Sequence, residues 1–99
     1  MRVEFTAHAI HRLREIHAYV AEDSGANADR LIERIINRAE SLAQQSMRGR
    51  KVPEYVREDV REIRERPYRI IYLVEARQVR ILTVMHERQL LPGDLQGST

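Results

Sequence analysis

Residues 60–86 read VREIRERPYRIIYLVEARQVRILTVMH, and this stretch decides the architecture. Three segments within it, 60–65, 68–74 and 79–86, are rich in Ile, Val and Tyr, whose branched or aromatic side chains suit a pleated, half-buried surface. Pro67 separates the first two, where a missing amide donor does least harm. Glu75-Ala76-Arg77-Gln78 is polar and short enough for a hairpin turn, though it lacks the Asn-Gly or Asp-Gly of the tightest ones. The spacing predicts an antiparallel meander. In one register Arg69, Ile71, Leu73, Arg80, Leu82, Val84 and His86 share a face, while Tyr68, Ile70, Tyr72, Ile81 and Met85 fill the other. Both faces are substantially apolar. One is expected to take helices and the other a partner's segment.

The period changes upstream of Gly49. Leu31, Ile32, Ile35, Ile36, Ala39, Leu42 and Ala43 recur at three- and four-residue spacing, which predicts a helix from near Asn27. An earlier stripe of Ile10, Leu13, Ile16 and Val20 predicts a first helix, with Thr6 as its N-cap and Ser24-Gly25 as its stop. So short a connection makes the two helices an antiparallel hairpin with one combined apolar face. Val3-Glu4-Phe5 alternates and reads as a short leading strand, and Arg48 to Glu54, with Gly49 and Pro53, reads as a loop. Helices followed by antiparallel strands give an α+β fold: a short N-terminal strand, then a helical hairpin packed on a mainly antiparallel meander. At 99 residues the chain supports one domain, taken as residues 1–99.

Composition narrows the function classes. Apolar residues make up 42% and charged residues 32%, so a core forms beneath a densely ionic surface. The absence of cysteine removes disulfides and thiolate metal sites and fits a reducing compartment, so a cytoplasmic location is expected. No apolar run is long enough to span a bilayer, and no membrane association is expected. Lys51 is the lone lysine among 17 basic residues, which leaves the positive charge to arginine forks suited to phosphates and carboxylates. His8-x-x-His11 has metal-like spacing but no carboxylate or cysteine pattern beside it, so no metal is expected. The glycines are too dispersed for a phosphate loop and the serines sit in no nucleophile elbow, so no cofactor is expected either.

The basic residues of the second half carry more. The meander is expected to gather Arg50, Arg61, Arg69 and Arg88 near His86, where the cations would hold phosphate charge and the imidazole would move a proton. The plainer alternative pairs these arginines with Glu58, Glu62 and Glu65. Arg34 and Arg38, on the exposed side of the second helix, are expected to matter less.

Gly49-Arg50-x-Val52-Pro53-Glu54, Arg61-Glu62-Ile63, Tyr68-Arg69-Ile70-Ile71-Tyr72 and Ile81-Leu82-x-Val84-x-His86-x-Arg88 follow in order behind the hairpin. Together they resemble the ParE branch of the RelE/ParE toxin superfamily over nearly the whole chain. The resemblance implies the toxin of a type II toxin–antitoxin pair that binds and inhibits DNA gyrase without chemistry of its own. It implies a ParD-like or related antitoxin and a toxin–antitoxin hetero-oligomer. Arg50, Arg61, Arg69, His86 and Arg88 are the expected target contacts, and Ile71, Leu73, Leu82, Val84 and Leu90 the expected antitoxin contacts. Two alternatives are a RelE-like, ribosome-dependent mRNA endonuclease using His86, Arg61, Arg69 and Arg88, and a weakly toxic plasmid-stabilisation binding module. The RelE-like apparatus looks depleted, since no tyrosine follows Tyr72. Ser46 stands where these proteins often carry a proline.

Overall fold

The computed structural model of the chain describes residues 1–89. The elements run β1 (Arg2–Phe5), α1 (Ala7–Ala21), α2 (Gly25–Glu40), a 3-10 turn (Ser41–Ala43), β2 (Arg50–Lys51), β3 (Val60–Glu65), β4 (Tyr68–Val74) and β5 (Gln78–His86). They form one five-stranded sheet of order β1-β5-β4-β3-β2. The meander β3-β4-β5 is antiparallel as expected, and β1 adds to it in parallel, pairing Arg2 with Gln78 and Phe5 with Ile81.

Helix boundaries follow capping chemistry. The Thr6 hydroxyl accepts the Ala9 amide at 3.0 Å and starts α1, which satisfies one of the orphan donors of the first turn. Ser24 does the same for α2 through the Asn27 amide at 3.2 Å. The Ser24-Gly25 pair therefore opens the second helix instead of closing the first, and α2 begins two residues before the position expected. Its serine was a better N-cap than the adjacent glycine was a stop.

The helical hairpin covers one sheet face. Leu13 and Ile16 of α1 and Leu31, Ile35 and Ala39 of α2 pack with Ile63, Tyr68, Ile70, Tyr72, Val79, Ile81 and Val84. A second, smaller cluster lies on the opposite face: Val52, Val60, Ile71, Leu82 and Met85, with Tyr55 and Leu73 at its margin. The face away from the helices is thus covered by the chain's own residues 52–55, where a partner's segment was expected. Burial of Ile71 and Leu82 there removes apolar area from water without help from outside.

Two further expectations are corrected. The stretch from Arg48 to Glu54 contains a strand, β2, whose two residues pair with Glu62 and Arg61. In β5 the alternation breaks, because Ile71 pairs with Thr83 while Tyr72 pairs with Ile81, leaving Leu82 as an extra residue. That bulge inverts everything beyond it. Val84 and His86 point toward the helical side with Ile70 and Tyr68, and Met85 joins the opposite cluster. The bulge is held by Thr6, which donates its amide to the Ile81 carbonyl and its hydroxyl to the Leu82 carbonyl, both at 3.1 Å. Beyond the end of β1, α1 side chains guard the β5 margin: His8 Nε2 meets the Thr83 hydroxyl at 3.1 Å and Arg12 Nε donates to the Val84 carbonyl at 2.9 Å. Such side-chain cover blunts an otherwise open sheet edge.

Candidate functional site

The densest polar constellation lies on the sheet face away from the helices, where alternation along β3 and β4 brings Glu62, Arg64 and Arg69 to one side. Glu62 is its centre. Its side chain has no solvent exposure and receives Arg50 Nε at 2.6 Å, Arg69 Nε at 2.7 Å and Arg69 Nη2 at 2.5 Å, with Arg64 at 3.7 Å. Three guanidiniums share one buried carboxylate. Arg69, itself 5% exposed, also holds Glu54 in a bidentate pair, Nη1 at 2.9 Å and the shared Nη2 at 3.0 Å. A fork-to-fork pair of this kind is directional as well as charged. Arg64 continues outward to Glu87 at 3.3 Å, which Arg66 shares at 3.2 Å.

Gly49 anchors the neighbouring strand. Its amide donates to the Tyr72 hydroxyl at 2.9 Å and its carbonyl accepts from Arg61 Nη1 at 2.9 Å. A Cβ at this position would collide with the Glu62 carbonyl oxygen and the Tyr72 hydroxyl, so only glycine lets β2 lie so close to β3. Arg48 and Arg50 are presented on either side of that clamp. Burial pushes the Tyr72 hydroxyl above the ordinary tyrosine pKa and keeps it a neutral partner for the amide.

The five arginine and histidine positions expected to converge are dispersed. Arg50 and Arg69 meet at Glu62. Arg61 pairs with Tyr72 across the strands and belongs to the opposite face, where it reaches Gly49 and, at 3.9 Å, Glu58. His86 stacks edge-on against Tyr68, ring centroids 5.7 Å apart, and its Nδ1 accepts the amide of Arg88 at 3.1 Å. Arg88 is exposed. Of the apolar positions read as antitoxin contacts, Ile71, Leu82 and Val84 are fully buried and Leu73 is half-buried, while Leu90 lies outside the described residues.

The likeness to known proteins matches this geometry. The family model described as the ParE toxin of the type II toxin–antitoxin system parDE matches residues 3–91. The chain belongs to the ParE toxin family. A candidate toxin of Sinorhizobium fredii, Y4kP, is 38% identical over 96 residues, covering 92% of this chain and 93% of the relative. Among solved structures, a chain of the chromosomal ParDE system from P. aeruginosa superposes with a TM-score of 0.74 at 22% identity, over 87% of this chain and 95% of that one. A chain of the toxin–antitoxin complex RelBE2 from Mycobacterium tuberculosis gives 0.65 at 21% identity, over 86% and 88%. Both share the two-helix, mixed-sheet fold.

In this ParE-family toxin Glu62 takes the role the plainer sequence alternative gave it, an ion-pair partner of the arginines, whereas Glu54, Arg48 and Arg64 were given no site role and Arg38 was expected to matter less. The available signal was Glu62 standing in strand alternation with Arg64, opposite Ile71: a carboxylate at an inward position needs guanidinium partners. The Arg69 hydrogen bonds hold the Glu54 carboxyl below the ordinary glutamate range, and the same pair raises Arg69. A depressed folded pKa contributes stability that is complete above the unfolded value and disappears as pH falls through the folded one. Glu54→Gln is therefore expected to lower stability at neutral pH and to converge with wild type in acid, read by urea denaturation across a pH series. With its side chain 35% exposed, the loss is about 1 kcal/mol or less. A constant gap down to the acid limb would contradict the assignment.

No helix among the described residues is long and apolar enough to cross a membrane. No three metal-competent side chains gather among them.

Proposed function

We infer that this ParE-family toxin inhibits DNA gyrase by binding it and is neutralised in the cytoplasm by a ParD-like or related antitoxin. One observation carries the choice of binding over chemistry: the groups an endonuclease would need are separated and engaged. Attack by a ribose hydroxyl needs a proton acceptor, a proton donor and cations around one phosphate. His86 spends Nδ1 on a backbone amide, Arg69 is enclosed by two carboxylates, and Arg61 faces the other side of the sheet. Among the described residues, the hydrogen bonds of His86 run to the Gln89 side chain and the Arg88 amide, neither of which transfers a proton at working pH. ParE-branch membership, with its association with gyrase, supports the target. Solved ParDE and RelBE2 neighbours support an antitoxin partner. The antitoxin meets Leu73 at the surface and reaches Ile71 and Leu82 only where residues 52–55 lift away.

The test runs supercoiling by purified gyrase beside primer extension on ribosome-bound mRNA, each with wild type and His86→Ala. Wild type is expected to stop supercoiling and His86→Ala, which loses an expected target contact, to inhibit it less, with no cleavage ladder from either. Codon-positioned cleavage that disappears in His86→Ala, with gyrase unaffected, would overturn this reading in favour of the endonuclease.

A further inference from the structure

We propose that Arg38, Arg48, Arg50 and Arg64 form a phosphate-binding concavity that grips a nucleic-acid backbone. These four arginines, from α2, the loop before β2, β2 itself and β3, line one open depression together with Gly49, Glu62 and Ile63. Two of them hold neutral acceptors only. Arg38 Nε donates to the Arg64 carbonyl at 3.1 Å, and Arg48 Nη2 donates to the Ser41 hydroxyl at 2.8 Å. Among the described residues neither has a carboxylate partner, and both side chains are exposed. The one carboxylate among the described lining residues, Glu62, is fully buried beneath the guanidiniums that share it. Solvent meets the positive forks and not the negative charge. Neutral anchors fix each guanidinium in place while leaving its charge uncompensated, the condition a bound anion would relieve.

The lining also distinguishes between anions. Among the described residues Ile63 is the single apolar one around the depression, and none of them there is aromatic. A protein docked here would find no buried anchor of the kind that carries protein interfaces. A phosphodiester chain needs only spaced cations and planar forks. The missing aromatic excludes base stacking, so recognition rests on the backbone and is indifferent to sequence. This inference goes beyond gyrase binding and is tested with gyrase absent, so either can fail alone.

The experiment measures fluorescence anisotropy of labelled duplex DNA, single-stranded DNA and RNA oligonucleotides with the full chain, across a salt series. Binding is expected to fall linearly on logarithmic axes with salt, at a slope of about −0.9 per phosphate neutralised on duplex DNA. Arg38→Gln with Arg48→Gln should weaken it at least roughly tenfold and reduce the slope by about 2, one per lost phosphate contact. Arg14→Gln with Arg77→Gln removes the same charge from exposed positions outside the depression and should leave affinity near wild type. Thermal melts confirm that each variant is folded. Equal weakening by both pairs would reduce the effect to net charge and overturn the proposal. So would no binding to any of the three polymers, or binding of polyglutamate in their place.

Discussion

Glu62→Ala is expected to cost about 3–5 kcal/mol of folding free energy, toward the lower end because Glu54 still partners Arg69. The reason lies less in the attraction lost than in the charges left behind. Arg69 is almost wholly buried, and without Glu62 its Nε loses its acceptor while Nη1 and Nη2 keep Glu54. Arg50→Ala removes a partner that is 57% exposed and should cost under about 1 kcal/mol. Replacing both buried partners, Glu62→Leu with Arg69→Met, should cost far less than the sum of the single changes, since an apolar pair leaves nothing unsatisfied. Urea denaturation of the set measures these differences. A Glu62→Ala loss as small as that of Arg50→Ala, or strict additivity in the double variant, would remove Glu62 from the centre of the network.

Gly49→Ala is the second large effect, about 1–3 kcal/mol from overpacking. The added methyl meets two atoms of different mobility: the Tyr72 hydroxyl and the backbone carbonyl of Glu62. Tyr72→Phe removes the first obstacle and cannot move the second, so the double variant should recover only part of the loss. Tyr72→Phe alone should cost about 1 kcal/mol for the Gly49 hydrogen bond. Because β2 carries Arg50 and follows directly on Arg48 and Gly49, its displacement in Gly49→Ala should also weaken anion binding in the anisotropy assay. Full rescue by Tyr72→Phe would show that the strand approach is less tight than described.

The helical hairpin and the meander were legible because each has a period that survives without neighbours. Leu13, Ile16, Leu31 and Ile35 repeat at helical spacing, and all four reach the core. A two-residue strand such as β2 has no period to read. The bulge at Leu82 was hidden for another reason: Ile81-Leu82-Thr83-Val84-Met85 is apolar on both parities, so either register buries a plausible set. The candidate site was the least legible part. The buried carboxylate draws Arg50 and Arg69 together, while strand parity and the bulge set Arg61 and His86 apart from them, and none of these is displayed by a one-dimensional pattern.

The parallel seam between β1 and β5 carries a temporal consequence. Residues 2–5 leave the ribosome well before their partners at 78–81, which follow only after both helices and three strands have been made. At about 5–20 residues per second, β1 waits on the order of several seconds for its neighbour. The hairpin, built from nearby contacts, forms during that interval, while the seam must await translation of β5. Thr6, whose hydroxyl holds the Leu82 bulge, shares the delay. The nascent polypeptide therefore carries an unfinished sheet from the emergence of β1 until that of β5.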